Sequence, residues 1–306
     1  MRRVFPAALA ACILLAGAAL WARQQSPATP ASATEIEHRV ESYLRHYYAW
    51  GPAFTVKADA PEPSLIPDLY KVPVVVSYQP KGAPTPETDR AVVFVSHNGR
   101  YLIRGALSDM LTDPFEVARN ALAAVLPGHP YIGPAKACVN VVEFSDYECP
   151  HCRAAQPVMK QLEKQYPQVR FTFINFPLTE IHPWAMNGAL AARCAFQQNP
   201  ADFLKMRDEI FANQDKITPD NAYNMLTTLA TQAGLNASTL QACMASPATR
   251  KRVNADIALG EKLGVNATPT MFVNGRPAVG GNPVMLNQFI SYELAQCGKA
   301  KPETNK

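Results

Sequence analysis

The sequence predicts an α/β protein, an α/β domain built around one strand-to-helix junction, with a small α+β domain ahead of it. Three observations carry this. The Val-rich run Val139–Val142 leads into Phe144-Ser-Asp-Tyr-Glu-Cys149-Pro-His-Cys152. Beyond it Ala154, Ala155, Val158, Met159, Leu162 and Tyr166 recur at helical spacing, so the hydrophobic period changes at two cysteines. Two further strand-like runs, Gln168–Phe176 and Thr270–Val273, bracket a stretch of helical character from Ala185 to Leu263. Upstream, runs at Ala91–Ser96 and Tyr101–Arg104 flank Asn98-Gly99, the strongest short hairpin signal.

In chain order, Arg2-Arg3 precedes an almost wholly apolar run, Val4–Trp21, and then a Pro/Ala/Ser/Thr/Gln stretch. Positive charge before such a run is the layout of an export signal. Residues 1–22 are therefore assigned to a signal peptide, cut near Ala18, Ala19 or Ala22, or to a retained membrane anchor. Leu9-Ala-Ala-Cys12 also fits a lipoprotein cleavage box. Each version puts the rest of the chain in an oxidising, periplasmic or otherwise extracytoplasmic compartment. The formal charge of +4 on 306 residues is too small to mark a nucleic-acid surface.

Residues 23–34 read as a linker by composition. The small α+β domain is expected over 35–129. Ile36, Val40, Leu44 and Tyr47 mark one helical face, and Phe54–Ala58 and Tyr70–Tyr78 add strands to the hairpin. Thr112-Asp113-Pro114 opens a short helix that Pro127-Gly128-His129-Pro130 breaks. Residues 130–137 form a connector, 138–298 the second domain with a helical insertion at about 184–264, and 299–306 a tail. Asn199-Pro200, Thr218-Pro219, Gly234 and Ser246-Pro247 punctuate the insertion.

Two thiols three positions apart at a helix start can close a small ring, and the first lies where unpaired helix N–H groups favour negative charge. The thiolate is the nucleophile in disulfide exchange, so Cys149 and Cys152 read as a redox dithiol. Pro150 is tolerated at the first helical position, and His151 adds positive charge when protonated. A structural zinc site needs two more ligands, and no second C-x-x-C or H-x3-5-H occurs. No metal and no cofactor beyond the dithiol itself is expected. Of seven cysteines, removal of Cys12 and the dithiol leaves four, which allow three connectivities. The preferred pairing joins Cys194 to Cys243 within the helical region and Cys138 to Cys297, first strand to last helix.

This pattern resembles the thioredoxin superfamily, and Cys149-Pro-His-Cys152 with a helical insertion resembles its DsbA branch. The resemblance implies a thioredoxin-like fold with a DsbA-type insertion. It also implies that Glu143, six residues before Cys149, is the buried acid beneath the dithiol. In Ala267-Thr268-Pro269-Thr270, Pro269 takes the place of the family's cis proline, which faces the dithiol. The backbone of Thr268 would there pair with an extended substrate. Phe94-Val-Ser-His-Asn-Gly-Arg-Tyr-Leu-Ile-Arg-Gly-Ala-Leu-Ser-Asp109 is similar to the end of the cystatin-like dimerisation domain of DsbC/DsbG-type isomerases, which implies a homodimer through residues 35–125.

The implied activity is protein thiol:disulfide exchange, with Cys149 exposed and attacking, Cys152 resolving, and Glu143 relaying the Cys152 proton. Implied partners are unfolded or reduced exported client proteins and a membrane redox partner. Cys-Pro-His-Cys points to an oxidase. The upstream domain and Thr268 point to a dimeric isomerase or reductase. A copper-binding or chaperone module is the remaining alternative, without a Met- or His-rich tract to support it. His182 reads as a helix-entry residue or a substrate contact.

Overall fold

The computed structural model describes residues 30–298 apart from 81, 82 and 84. The expected signal or anchor (1–22), most of the linker and the tail (299–306) lie outside the described residues. Among the described residues no helix is long and apolar enough to cross a membrane. They form two compact units divided after Ser108.

The first unit opens with helix α1 (Ala33–Tyr47), where the Ser32 hydroxyl accepts from the Glu35 N–H and caps the first turn. Its face Ile36, Val40, Leu44 is buried against a sheet of β1 (Phe54–Ala58), β2 (Glu62–Pro63), β3 (Leu69–Tyr78), β4 (Glu87–Ser96) and β5 (Leu102–Arg104). The order is β1-β3-β4-β5 with β2 beside β3. Inward Val56, Ala58, Val72, Val74, Val93 and Val95 complete the core. Gly99 turns the β4–β5 hairpin at φ +66°, a conformation that suits glycine. Pro73 lies within β3 where β1 and β2 leave a gap, so its missing N–H breaks no ladder bond there. Its carbonyl accepts from the Asp59 N–H at 2.9 Å. Near the C-terminal end of α1, an apolar groove of about 1110 Å³ opens beside Leu44, Tyr48, Trp50, Phe54, Val74 and Val76.

The second unit begins with helix α2 (Glu116–Val125). Sequence alone puts this helix in a small domain ending at residue 129, and its packing corrects that. Leu122 and Leu126 are buried with Val142, Phe144, Ile174, Phe176, Val265 and Phe272, so the boundary falls at Ser108. There follow β6 (Tyr131–Ile132), β7 (Asn140–Ser145), α3 (Pro150–Gln165), β8 (Arg170–Asn175), α4 (Ala185–Gln198), α5 (Pro200–Ala212), α6 (Ala222–Gln232), α7 (Ala237–Ala245), α8 (Pro247–Lys262), β9 (Thr270–Val273), β10 (Arg276–Val279) and α9 (Pro283–Gln296). The sheet order is β10-β9-β7-β8-β6. β7 and β8 are parallel, joined by the α3 crossover, and β9 is antiparallel to β7.

Alternation along β7 sends its residues to two cores. Val142 and Phe144 meet α2 and α8, while Val141 packs with Met159 and Leu162 of α3. Glu143 shares the face of Val141, the side that α3 covers. Cys194–Cys243 joins α4 to α7 across 5.8 Å between Cα atoms, and Cys138–Cys297 spans 6.0 Å between the start of β7 and the end of α9.

Candidate active site

Cys149 is the N-cap of α3 in extended conformation (φ −70°, ψ 121°), with Pro150 at the first helical position. Its carbonyl accepts from the N–H groups of Cys152 (3.1 Å) and Arg153 (3.2 Å), and its own N–H donates to the Asp146 carbonyl at 3.2 Å. The turn is clamped from the insertion: Gln214 Nε2, just past α5, donates to the carbonyls of Tyr147 (2.8 Å) and Cys149 (3.1 Å). Asp146 pins the other side. One oxygen accepts from the Glu148 N–H (2.8 Å), the other from the Leu178 N–H (2.8 Å) and His182 Nδ1 (2.7 Å). Glu148 Oε2 then accepts from the Trp184 N–H at the start of α4.

Both dithiol sulfurs are free thiols here. Cys149, expected at the surface, is 4% exposed and Cys152 0%; Tyr147, packed on Phe211 at 5.2 Å between ring centroids, helps to bury the turn. The two thiols differ in environment. The Cys152 thiol, as a hydrogen-bond partner, lowers the Cys149 thiol most, bringing it to about 5 against the opposing effect of burial. The backbone N–H groups of Cys152 and His151 add to the lowering, as does the nearby Thr268 side chain without a hydrogen bond of normal length. His151 thus acts through its backbone, while the imidazole faces solvent. Burial pushes the Cys152 thiol up, and the neighbouring Cys149 adds to this. The fold thus favours the thiolate at Cys149 and the protonated thiol at Cys152.

The Thr268–Pro269 bond is cis, and the loop faces the dithiol: Cys149 Sγ donates to the Thr268 carbonyl at 3.4 Å. That carbonyl, expected to be unpaired, is therefore engaged while the Cys149 thiol keeps its proton. The Pro269 carbonyl accepts from the Gly280 N–H at 2.8 Å, and Thr270 Oγ1 donates to the Ala267 carbonyl at 2.7 Å. The Thr268 hydroxyl is buried with no hydrogen-bond partner.

Glu143 is 1% exposed. Burial raises its carboxyl above the usual range, and the Arg207 guanidinium opposes that. Gln156 Nε2 bridges the Glu143 carboxylate (3.4 Å) and the Cys152 carbonyl (3.3 Å). The Ser145 hydroxyl favours the charged forms of both Glu143 and Cys152 without a hydrogen bond of normal length.

The structure thus brings Cys149, Pro150, His151, Cys152, Glu143, Thr268 and Pro269 into one site. Cys138, Cys297, Cys194 and Cys243 serve as bridges elsewhere in the unit. His182 holds Asp146, a scaffolding position at the helix entry. Sequence reasoning missed Asp146, Gln214 and Arg207. Asp146 sits inside the motif, and a buried acid three residues before an N-cap thiol was a usable signal. Arg207 interrupts the apolar face Phe203, Met206, Ile210 of α5, a cation where the helical period calls for a hydrophobe. Gln214 had no signal.

The probable disulfide bond formation protein D of Bacillus cereus is 30% identical over 154 residues, which cover 48% of this chain and 70% of that protein. A Na(+)/H(+) antiporter NhaA of Salinispora tropica is 32% identical over 177 residues, 56% of this chain. The chain spans only 26% of that antiporter's length. A periplasmic thioredoxin-like protein from Salmonella enterica serovar Typhimurium shares the fold of the second unit, with a TM-score of 0.51 at 20% identity over 60% of this chain and 99% of the other. A family model described as thioredoxin matches residues 126–288, more than half of the sequence and all of the dithiol site, so this chain belongs to the thioredoxin family.

Proposed function

We propose that the protein is an extracytoplasmic thiol:disulfide oxidoreductase that oxidises client proteins through Cys149 and Cys152. One observation carries the oxidase reading: the Cys149 thiol is lowered to about 5 while Cys152 is raised. Stabilising that thiolate favours the reduced dithiol, which makes the Cys149–Cys152 disulfide a stronger oxidant. A client thiolate attacks Cys149 Sγ, the client–Cys149 bond forms, the Cys149–Cys152 bond breaks, and Cys152 leaves and takes a proton from Glu143. The second client thiolate then attacks the client sulfur of the mixed disulfide. The client disulfide forms, Cys149 leaves as the stabilised thiolate, and two electrons have moved from client to dithiol.

Thr268 and Pro269 would seat the extended client segment, once the Cys149 thiol no longer occupies the Thr268 carbonyl. The clients are reduced exported proteins, and a membrane redox partner reoxidises the dithiol. The two structural disulfides support an oxidising compartment, as does a periplasmic neighbour of like fold. The resemblance of residues 94–109 to the end of the isomerases' dimerisation domain supports a homodimer through residues 35–125, of which the first unit supplies those up to Ser108. A second reading, isomerase or reductase, is favoured by that same unit and by Thr268 ahead of the proline.

The equilibrium potential of the Cys149/Cys152 pair against glutathione separates an oxidase from a reductase. An oxidase requires a value near strong periplasmic oxidants, on the order of −120 mV, whereas one near −270 mV, on the order of thioredoxin's, would make the protein a reductase.

A further inference from the structure

Arg207 lies on α5, inside the helical insertion, and is 4% exposed. Its guanidinium sits 4.2 Å from the centroid of the Phe173 ring. Nη1 is 3.9 Å from Glu163 Oε1 and Nη2 is 3.5 Å from Asp208 Oδ1, while Nε and Nη1 have no hydrogen-bond partner. A buried cation with unpaired nitrogens is costly unless something answers it.

What answers it lies across a small cavity lined by Glu143, Ser145, Tyr147, Gln156 and Arg207. Glu143 Oε2, Ser145 Oγ and Gln156 Oε1 are also buried and unpartnered. Arg207 brings the unpaired donors, Glu143 and Gln156 the unpaired acceptors, and the Ser145 hydroxyl can serve as either. The space open to the centre of a water molecule is about 10 Å³, close to the least that one bound water requires. The charged and titratable groups around Glu143 are Arg207 and Asp208 of α5, Cys152 and Glu163 of α3, and Tyr147 of the dithiol turn. Arg193 of α4 closes the far wall. Across the sheet, Glu143 pairs with Phe173 of β8 and Met271 of β9. Arg207 is the cation acting on both Glu143 and Glu163.

We propose that Arg207 is a positioning residue for the proton traffic of the dithiol: through one water held in this cavity, its guanidinium answers and orients the Glu143 carboxyl beneath Cys152. The inference rests on the exchange chemistry proposed above. In the reducing direction Cys152 attacks Cys149 Sγ of a mixed disulfide. The Cys149–Cys152 bond forms, the client sulfur leaves as a thiolate, and the Cys152 proton goes to Glu143. In the oxidising direction Glu143 returns it. The helical insertion thereby takes part in the chemistry from the same face of the sheet as α3, beneath the dithiol, rather than at the mouth of the site.

The test is the pH dependence of Cys152-driven release from a mixed disulfide on Cys149, measured in the full chain. Losing an opposite charge at this range moves a carboxyl by about one pH unit or more. Arg207→Gln should therefore shift the rise of the release rate upward by about that much, and Arg207→Lys should restore most of the parent profile. On a Glu143→Gln background Arg207→Gln should shift nothing further. If Arg207→Gln alone fails to fold, Arg207→Gln with Glu163→Gln removes both members of the buried pair and should show a smaller upward shift, since the Glu163 carboxylate acts on Glu143 in the opposite sense to Arg207. An unmoved profile, or a shift that persists without the Glu143 carboxyl, overturns the proposal. Should the parent chain exchange no disulfides at all, the oxidoreductase reading fails by itself. Direct carbon NMR titration of the Glu143 carboxyl, parent against the folded Arg207 variant, still decides the role of Arg207.

Discussion

Cys149 and Cys152 are the same chemical group three positions apart, and what separates them is what each faces. Cys149 caps a helix, meets N–H groups of the first turn and accepts from Cys152, whereas Cys152 lies on the buried face of α3 at 0% exposure. Because the folded state lowers the Cys149 thiol, its thiolate is present above the lowered range and is lost only as pH falls through about 5. Alkylation of the reduced protein by iodoacetamide should be half-maximal near pH 5 and level off about two pH units higher, with Cys152 unmodified throughout. A midpoint in the ordinary thiol range, around 8.5, would sink this assignment. The residues that build the asymmetry differ in how far they can be read from the chain. Pro150, His151 and the helix start act on Cys149 from adjacent positions, so a short motif displays them. Glu143 reaches the dithiol by strand alternation, which a period-2 pattern also displays. Gln214, Arg207 and His182 arrive by tertiary packing from distant helices and turns; His182 shows as a helix-entry residue and Arg207 as a cation on the apolar face of α5, while Gln214 left no trace.

Among the elements, α8 approaches the sheet closest at Gly260. A Cβ there would stand 2.5 Å from Phe176 Cε2 and 3.3 Å from Phe144 Cδ1. The two rings pack edge-to-face at 6.1 Å between centroids and are 4% and 0% exposed, so neither can swing into solvent. Overpacking of this kind costs about 1–3 kcal/mol, while alanine in a helix interior recovers roughly 1 kcal/mol over glycine. The 2.5 Å approach to a buried ring puts the cost at the upper end of that range, so Gly260→Ala should destabilise the protein by about 2 kcal/mol in urea unfolding. A variant as stable as the parent would mean that α8 can back away from the sheet. The same packing explains the helix assigned to the wrong unit. The run Thr112–Val125 shows its helical period in sequence, but period does not say which core will take the apolar face. Leu122 and Leu126 found Phe144 and Ile174, which the chain reaches only after β6 and the connector.

At the scale of the molecule, the second unit holds the dithiol, while the first offers a curved sheet, a helix and a wide apolar groove that contains no dithiol residue. The strands, the hairpin and the helical insertion follow from periodicity and turn residues. The groove does not, because it arises where α1 ends short of strands ten residues long. The bridges Cys138–Cys297 and Cys194–Cys243 close segments of 159 and 49 residues, and losing such a crosslink typically costs on the order of 2–5 kcal/mol. A newly made chain with four reduced structural thiols is itself an apprentice of the trade it is proposed to practise. Its maturation should then be autocatalytic: refolding of the fully reduced chain in weak oxidant begins with a lag, and a trace of finished, oxidised protein shortens that lag in proportion to the seed. A Cys149→Ser seed should leave the lag untouched, and equal shortening by both seeds would show that the bridges form without help from sister molecules.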